Sequence, residues 1–290
     1  MKVEKAMESK SNSDIAVLAD FKVAFLGTNG SCAYNNGKRI RYGTNTLCTV
    51  IKAGKTILIF DAGSGICRFN QLSEFDSDKI NLFFSHYHID HMNGLLFWSF
   101  LFNPQKEIKL YGQGDIRKVV GNFFTAPYQP VSLNDFRATM TYHDIKSYDE
   151  IKLADNGSEV KIKTLALNHP NDCLGYRIDY KNRSVCYLTD IELANYENQE
   201  KAYNELVEFA KDSDLLIIDA AYANGKNIKG FGHSTPFECA NLASNANAKK
   251  LALYHYGYME TDDGIDTLVE SAKEVFSNTL GSYDGLSLNI

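Results

Sequence analysis

The sequence lacks any closely spaced pair of cysteines. Its six cysteines form no C-x-C or C-x-x-C pair and are spread over Cys32, Cys48, Cys67, Cys173, Cys186 and Cys239. A disulfide framework and a zinc site built from thiolates are therefore both disfavoured, and we expect reduced thiols. Proline is also scarce, with five in 290 residues, and no proline-rich linker divides the chain. We predict a flexible lead-in over residues 1–20 and one domain over residues 21–290.

An excess of positive charge and a long apolar run are missing as well. The chain has 30 lysines and arginines against 36 acidic residues, which gives a formal net charge of -6. Long nucleic acid needs a broad basic surface and is not an expected partner, whereas one local positive site is enough for a small anion. No segment approaches the roughly 20 apolar residues of a membrane span, and residues 1–20 lack the pattern of a signal peptide. We therefore expect a cytoplasmic protein without a membrane partner.

Short strand patterns alternate with helical patterns along the chain. Residues 21–27, 46–54 and 55–63 are predicted strands, and a turn at Ala-Gly-Lys joins the last two into a hairpin. Helices are predicted over residues 91–102 (HMNGLLFWSFLF), 197–213, from Thr235 onward, and 263–277. Two mixed sheets with helices on their outer faces would bury these runs.

Six apolar runs end in a polar residue of a type that can bind metal. These residues are Asp61, His86, His169, Asp190, Asp219 and His255. Because strand ends at one edge of a sheet bring distant parts of a sequence together, we expect these side chains to converge.

The segment SHYHIDH, residues 85–91, adds a second indication of metal binding. On an extended chain His86 and His88 point to one side, while Asp90 and His91 lie where the strand ends and can face a second point nearby. This spacing fits two metal ions, and nitrogen and oxygen ligands favour zinc, with manganese or iron as alternatives. Any one of these histidines alone would be read as a core residue. Four such groups crowded together would be costly to bury without a metal.

The same segment resembles the H-x-H-x-D-H signature of the metallo-β-lactamase superfamily, and the order of elements matches from about residue 21 to residue 290. The resemblance implies an α/β fold, a four-layer αββα sandwich, with a two-metal site between the sheets. It implies that Asp61 orients a ligand histidine from outside the ligand set. The implied ligands are His86, His88 and His169 for one metal, Asp90, His91 and His255 for the other, and Asp190 as a bridge.

Two further segments narrow the resemblance. Residues 27–46 (GTNGSCAYNNGKRIRYGTNT) and 231–243 (FGHSTPFECANLA) are similar to the branch of ribonuclease Z and cyclic phosphodiesterases. The overall pattern is most similar to bacterial and phage enzymes that open cyclic nucleotides. Ribonuclease Z has a long basic arm between the positions of His169 and Asp190, where this chain has only twenty residues. The resemblance therefore implies a phosphodiesterase for a small cyclic phosphodiester, expected to be a cyclic nucleotide.

Other functions stay open within this fold. They are a phosphoribosyl cyclic phosphodiesterase or ribonuclease Z-like enzyme, a thioester or lactone hydrolase, and a module that binds a cyclic nucleotide without turnover. Lactam hydrolysis is disfavoured, because common β-lactamases carry a cysteine at the position of Asp190. Iron-dependent oxygen-handling members usually carry a glutamate at the position of His88, which disfavours them too.

The resemblance also implies a mechanism. Two divalent ions would lower the pKa of a shared water and neutralise the phosphate oxygens. Asp90 would orient the nucleophile, and His233 would protonate the departing ribose oxygen. A capping box at residues 235–238, with proline at the first helical position, predicts a helix N-terminus that favours phosphate.

The remaining predictions concern substrate and partner contacts. A ring in the irregular segment 122–131 can stack on a base, and by resemblance this segment is expected to reach across a homodimer. Phe123 and Phe124 are expected to pack that segment against the core, and Lys38 and Arg39 to lie in a solvated turn. Capping alone is favoured for Thr235 over contact with the ligand. The candidate substrate contacts are Arg41, Tyr128, Tyr222, Ser234 and Thr235.

Overall fold

Two β-sheets dominate the computed structural model, which describes residues 20–35, 37–194, 200–223 and 228–290. The predicted lead-in over residues 1–20 lies outside these ranges except for Asp20. The predicted strands 21–27, 46–54 and 55–63 are present as β1 (Phe21–Gly27), β2 (Cys48–Ala53) and β3 (Thr56–Phe60), and β2 and β3 pair as the expected hairpin. No helix within the described ranges is long and apolar enough to cross a bilayer.

The first sheet has the strand order β14-β1-β2-β3-β4-β5-β6. Strands β3 to β6 run parallel to one another, and the β14, β1, β2 and β3 pairings are antiparallel. Its strands are β1 (Phe21–Gly27), β2 (Cys48–Ala53), β3 (Thr56–Phe60), β4 (Lys79–Phe83), β5 (Glu107–Gln113), β6 (Thr139–Ile145) and β14 (Ser287–Asn289).

The second sheet has the strand order β13-β12-β11-β10-β9-β8-β7 and is also mixed. Strands β10 to β13 are parallel, and β7 to β10 pair antiparallel. Its strands are β7 (Glu150–Asp155), β8 (Ser158–Leu167), β9 (Cys173–Tyr180), β10 (Arg183–Leu188), β11 (Leu215–Asp219), β12 (Leu251–Tyr254) and β13 (Thr279–Gly281).

Aromatic side chains fill the space between the two sheets. The ring centroid of Phe60 lies 5.3 Å from that of Phe83, 5.2 Å from that of Tyr176 and 5.4 Å from that of Tyr187. All four side chains are buried, and burying one phenylalanine contributes about 1.5–3 kcal/mol. This core holds the sheets together next to Asp61, the residue that directly follows Phe60 at the end of β3.

Asp155 joins the two sheets at the edge of the sandwich opposite to Asp61. Its carboxylate accepts hydrogen bonds from the Lys55 N–H (2.8 Å), in the turn between β2 and β3, and from the Tyr180 hydroxyl (3.0 Å), at the end of β9. Gly54 makes this approach possible, because a Cβ there would lie 1.9 Å from an oxygen of Asp155.

Helices cover the outer faces of both sheets and complete the predicted αββα arrangement. The first sheet is covered by α1 (Ile116–Phe123) and by short 3₁₀ turns. The second sheet is covered by α2 (Glu200–Ala210), α3 (Pro236–Asn245) and α4 (Asp262–Lys273).

The predicted helix over residues 91–102 is wrong. The segment forms three 3₁₀ turns, Ile89–His91, Leu95–Phe97 and Ser99–Phe102. Its buried apolar side chains are Met92, Leu95, Trp98 and Leu101, which recur every third residue. A period of three matches the 3.0 residues per turn of a 3₁₀ helix better than the 3.6 of an α-helix.

Trp98→Ala tests this buried row of every third residue. Trp98 is fully buried, and we expect the variant to lower the free energy of unfolding in urea by about 3–5 kcal/mol. Phe97→Ala is the matched control, because the neighbouring Phe97 is 71% exposed; its expected change is within about 0.5 kcal/mol. Equal losses in the two variants would contradict the described periodicity.

Candidate metal centre and active site

Polar residues follow the carboxyl ends of strands from both sheets and meet at one edge of the sandwich. His86 lies just beyond β4, His169 beyond β8, Asp190 beyond β10 and His255 beyond β12. Asp190 (φ 56°) and His255 (φ 55°) are left-handed, as is Asp61 (φ 61°) after β3. Such backbone is uncommon outside glycine, and here it turns the chain out of the sheet directly at the site. The predicted convergence is therefore present in the structure.

One group at this edge contains His86, His88, His169 and Asp190, whose donor atoms all lie within 4.8 Å of one another. The Nε2 atoms of His86 and His169 are each 3.6 Å from Oδ2 of Asp190. Nε2 of His169 is 3.3 Å from Nδ1 of His88. The two sheets contribute equally, because His86 and His88 follow β4 whereas His169 and Asp190 follow β8 and β10.

A second group uses the other oxygen of the same aspartate. Oδ1 of Asp190 lies 3.4 Å from Nε2 of His91 and 3.1 Å from Nε2 of His255. Oδ2 of Asp90 lies 3.7 Å and 3.5 Å from the same two nitrogens. Asp190 therefore faces both groups, one with each carboxylate oxygen.

Hydrogen bonds from outside the two groups fix which nitrogen of the His91 and His169 rings points inward. Asp61 contacts Nδ1 of His91 at 2.9 Å and also accepts from the Tyr187 hydroxyl at 2.8 Å and the Ser85 N–H at 2.8 Å. Nδ1 of His169 donates to the carbonyl of Gly232 at 2.9 Å. Both rings are left with Nε2 directed at the centre, the arrangement found around metal-ligating histidines.

The residues present fit divalent cations. Nε2 of His86, His91 and His255 is buried and has no hydrogen-bond partner among the described residues, which is costly for a polar atom. These nitrogens lie 3.1–3.7 Å from the carboxylate oxygens of Asp90 and Asp190. Two ligand atoms that each lie about 2.0–2.2 Å from the same ion are expected to be ~3.0–3.6 Å apart, so the observed distances fit a shared ion.

Opposing effects set the charges of the cluster. Burial disfavours the charged form of His91 and His255, but the carboxylates around them, Asp190 first, raise the pKa of both imidazoles well above its usual value. The pKa of His86 is well below its usual value because burial and the neighbouring His91 act together. Burial alone would raise the pKa of Asp190, yet the surrounding imidazoles hold it well below its usual value. Asp190 is thus ionised, the form that binds a cation.

His233 lies beside both groups and is paired with Asp219. Its Nδ1 is 2.8 Å from Oδ2 of Asp219, and its ring stacks on His255 with the centroids 4.8 Å apart. Burial opposes protonation of the ring, but Asp219 outweighs it and raises the pKa of His233. The edge of the Tyr222 ring contacts His233 at a centroid distance of 5.5 Å, so both predicted residues lie at the cluster.

Two supporting residues were missed or misplaced by sequence reasoning. Glu192 is buried, and Oε2 of its carboxylate accepts the N–H groups of Gly230 (2.8 Å) and Gly232 (3.2 Å), which holds the loop that carries His233. Arg39, expected in a solvated turn, is 1% exposed and donates to Asn29 and to the carbonyl of Gly257 (3.1 Å). Neither residue belongs to a recognisable motif, so no sequence signal marked it.

The first loop, which Arg39 supports, touches the cluster directly. The Ser31 N–H donates to Oδ2 of Asp90 at 2.7 Å. Gly30 packs against the imidazole of His255 so closely that a Cβ would lie 2.4 Å from the ring. This glycine-rich loop carries part of the family resemblance, but no local pattern in the sequence marks Ser31 as a contact of Asp90.

The comparisons with known proteins agree with this geometry. The sequence model of a family described as "Beta-lactamase superfamily domain" matches residues 56–256, more than half of the chain. The chain belongs to the beta-lactamase superfamily. The resemblance inferred from the H-x-H-x-D-H segment is thereby confirmed. The superfamily implies divalent metal ions, which the clustered histidines and aspartates fit.

Similar proteins of the superfamily cover nearly the whole chain. A protein named ribonuclease Z from Picrophilus torridus is 26% identical over 93% of this chain and 96% of its own. The metallo-beta-lactamase fold protein YhfI from Bacillus subtilis superposes with a TM-score of 0.68 at 20% identity, covering 92% of this chain and 98% of its own. The short form of human tRNase Z gives a TM-score of 0.67 at 20% identity, covering 93% and 99%. The structures support the αββα fold.

Three predicted substrate contacts are already engaged within the protein. The Arg41 guanidinium binds Asp266 through two hydrogen bonds, of 3.2 and 2.6 Å. Ser234 is fully buried, donates to the carbonyl of Ile191 and accepts from the Leu193 N–H. Thr235 forms the predicted capping box with Glu238 at the start of α3. The prediction of phosphate contact is not supported for these residues, because their polar groups stabilise a helix or a loop, and capping alone is the role seen for Thr235.

The segment around Tyr128 is only partly as expected. Phe124 is buried and packs edge-on against Phe136 with the centroids 4.9 Å apart, and Phe123 is partly buried against the same core, so both phenylalanines pack inward as predicted. Tyr128 is 82% exposed. Among the described residues, the Tyr128 side chain makes no hydrogen bond or ring contact with the cluster.

Gly232→Ala tests how closely the supporting loop holds His169 in this superfamily member. A Cβ at Gly232 would lie 1.9 Å from Nδ1 of His169, and its φ is 78°. We expect the affinity for Zn²⁺, measured against a chromogenic chelator, to fall about 10- to 100-fold. Gly230→Ala is the control, since its φ of 83° carries similar strain but a Cβ there meets nothing within 4 Å. Equal loss in both variants would attribute the effect to backbone strain alone.

Proposed function

We propose that this chain is a metal-dependent phosphodiesterase that holds two divalent ions and hydrolyses a small cyclic phosphodiester, with a cyclic nucleotide as the first candidate. The proposal is carried by the position of Asp190. Its two carboxylate oxygens face two separate ligand groups, which lie beside the His233–Asp219 pair. The relatives named ribonuclease Z support a phosphodiester as the bond that is cleaved.

Seven residues would hold the ions. In this assignment His86, His88 and His169 would hold one ion, Asp90, His91 and His255 would hold the other, and Asp190 would be shared by both. Nitrogen and oxygen donors without thiolate favour zinc, with manganese or iron as alternatives. When bound, two such ions lower the pKa of water and neutralise charge on the phosphate oxygens.

The protein's own groups supply orientation and a proton. The Ser31 N–H donates to one oxygen of Asp90 and fixes its position. The Asp90 carboxylate can then both bind an ion and orient the attacking water. The Nδ1 of His233 is engaged by Asp219, which leaves Nε2 to protonate the departing ribose oxygen. The product would be a linear nucleoside monophosphate.

The short connection between His169 and Asp190 supports a small substrate. Most of its twenty residues form β9 and β10, and only Lys181 and Asn182 separate these two strands. The connection therefore has no length left for an RNA-binding arm. Exposed Tyr128 supports the further proposal that residues 122–131 contact a second copy of the chain in a homodimer.

Ribonuclease Z-like processing of RNA is the second candidate function. The observation that favours it is the name shared by the curated relatives, which align over more than nine-tenths of this chain. The net charge of -6 weighs against it, because RNA affinity depends on basic surface.

A substrate panel tests the proposal. We expect the zinc- or manganese-loaded protein to show its highest kcat/KM on a cyclic nucleotide, compared with phosphoribosyl cyclic phosphate, precursor tRNA, a thioester and a lactone. Chelation should abolish the activity and added metal should restore it. Elemental analysis should give two ions per chain, and about one for Asp90→Ala. Preference for tRNA or an ester, or recovery of intact nucleotide bound at stoichiometric amounts, would overturn the assignment.

His233→Ala tests the proton donor. We expect kcat on a cyclic nucleotide to fall about 10²- to 10⁴-fold, with little change on bis(p-nitrophenyl) phosphate, whose leaving group needs no proton. Because Asp219 raises the pKa of His233 and the acid acts only when protonated, kcat should decline as pH rises through that pKa. Asp219→Asn should shift the decline to lower pH. Equal losses on both substrates would point to a structural role for His233.

A further inference from the structure

Tyr34 and Tyr258 form an exposed aromatic pair near the cluster. Their ring centroids are 6.2 Å apart with an interplanar angle of 76°, and the residues are 46% and 41% exposed. Both lie in loops outside the buried cores that pack the sheets and helices. Folding of the sandwich therefore does not account for two large rings held together at the surface.

The two tyrosines are carried by segments that are bonded to each other beside the ligand residues. The Gly30 N–H donates to the carbonyl of Tyr256 at 2.8 Å, and the Tyr256 N–H donates to the carbonyl of Thr28 at 3.1 Å. Tyr34 is three residues from Ser31, the donor to Asp90, and Tyr258 is three residues from His255. Since three residues span at most about 10–11 Å, both rings are anchored close to the cluster.

Tyr222 lies on a loop that adjoins the segment carrying Tyr258. The segment after His255 runs alongside the one that bears Tyr222, because a Cβ at Gly257 would lie 3.2 Å from the carbonyl of Ala221. The Tyr222 ring contacts His233 edge-on. Tyr222, Tyr258 and Tyr34, here called the tyrosine rim, therefore lie on adjoining loops beside the cluster.

We propose that Tyr34 and Tyr258 bind the base of the substrate, a planar heteroaromatic ring, with the ribose near Tyr222 and the phosphate at the cluster. This inference rests on the proposed function. The edge-on arrangement leaves a ring face open on which a base can stack. Stacking is tolerant of sequence, because every base offers a π-face, so the site should discriminate weakly between purines and pyrimidines.

The test compares substrates with and without a base. Tyr34→Ala and Tyr258→Ala are assayed on a cyclic nucleotide and on glycerol 1,2-cyclic phosphate. We expect each variant to raise KM for the cyclic nucleotide about 5- to 150-fold and to leave the base-free substrate within about twofold. Tyr34→Phe and Tyr258→Phe should restore wild-type values. Tyr148→Ala is the control, a tyrosine 72% exposed in the turn between β6 and β7.

Unchanged KM for the nucleotide, or equal losses on both substrates, would overturn the inference. Calorimetric titration with a nucleoside 5'-monophosphate and with ribose 5-phosphate measures binding without turnover. Wild-type protein that hydrolyses neither cyclic phosphate but binds the nucleotide through both tyrosines would refute the proposed function and retain the base site. The alternative is that the tyrosine rim contacts a second copy of the chain. In that case sedimentation of the Ala variants would show loss of a dimer while nucleotide binding stays unchanged.

Discussion

The site depends on a buried carboxylate surrounded by imidazoles. Asp190 is 2% exposed and has histidine nitrogens within 3.6 Å of both of its oxygens. Such a charge is tolerated in the interior only when it is paired, here by histidines or by cations. The left-handed backbone at Asp190, directly after β10, is what brings the carboxylate between the two groups.

Both sheets contribute to the constellation, four candidate ligands from the first and three from the second, and the aromatic core keeps the two sets in register. Tyr187 belongs to the second sheet, yet its hydroxyl binds Asp61 of the first, and Asp61 in turn orients His91. Packing and chemistry are therefore linked by one side chain, since Tyr187 is both a core residue and a hydrogen-bond donor to the site. Glu192 plays a comparable part for the loop of His233, where one buried carboxylate oxygen receives two backbone N–H groups.

Much of the fold and of the candidate metal centre could be predicted, because the sequence patterns that indicate them are local. The spacing of His86, His88, Asp90 and His91 reports side-chain direction on an extended chain, and apolar runs that end in polar residues report a sheet edge. The 3₁₀ turns after His91 were missed, because a period of three differs little from 3.6 over so few turns. Burial of Arg39 and internal use of Ser234 depend on partners more than 40 residues away, Gly257 and Ile191, which no local pattern specifies.

Asp155 has a mechanical consequence for the sandwich. By tying the turn at Lys55 to Tyr180, it fastens the sheets at the edge remote from the histidines. The histidine edge is joined as well, by the Tyr187 hydroxyl on Asp61 and by the Leu174 N–H, which donates to the carbonyl of Ser85 at 2.9 Å. Cations held between ligands of both sheets would add further cross-links at this edge, so that ions serving catalysis would also stabilise the folded sandwich.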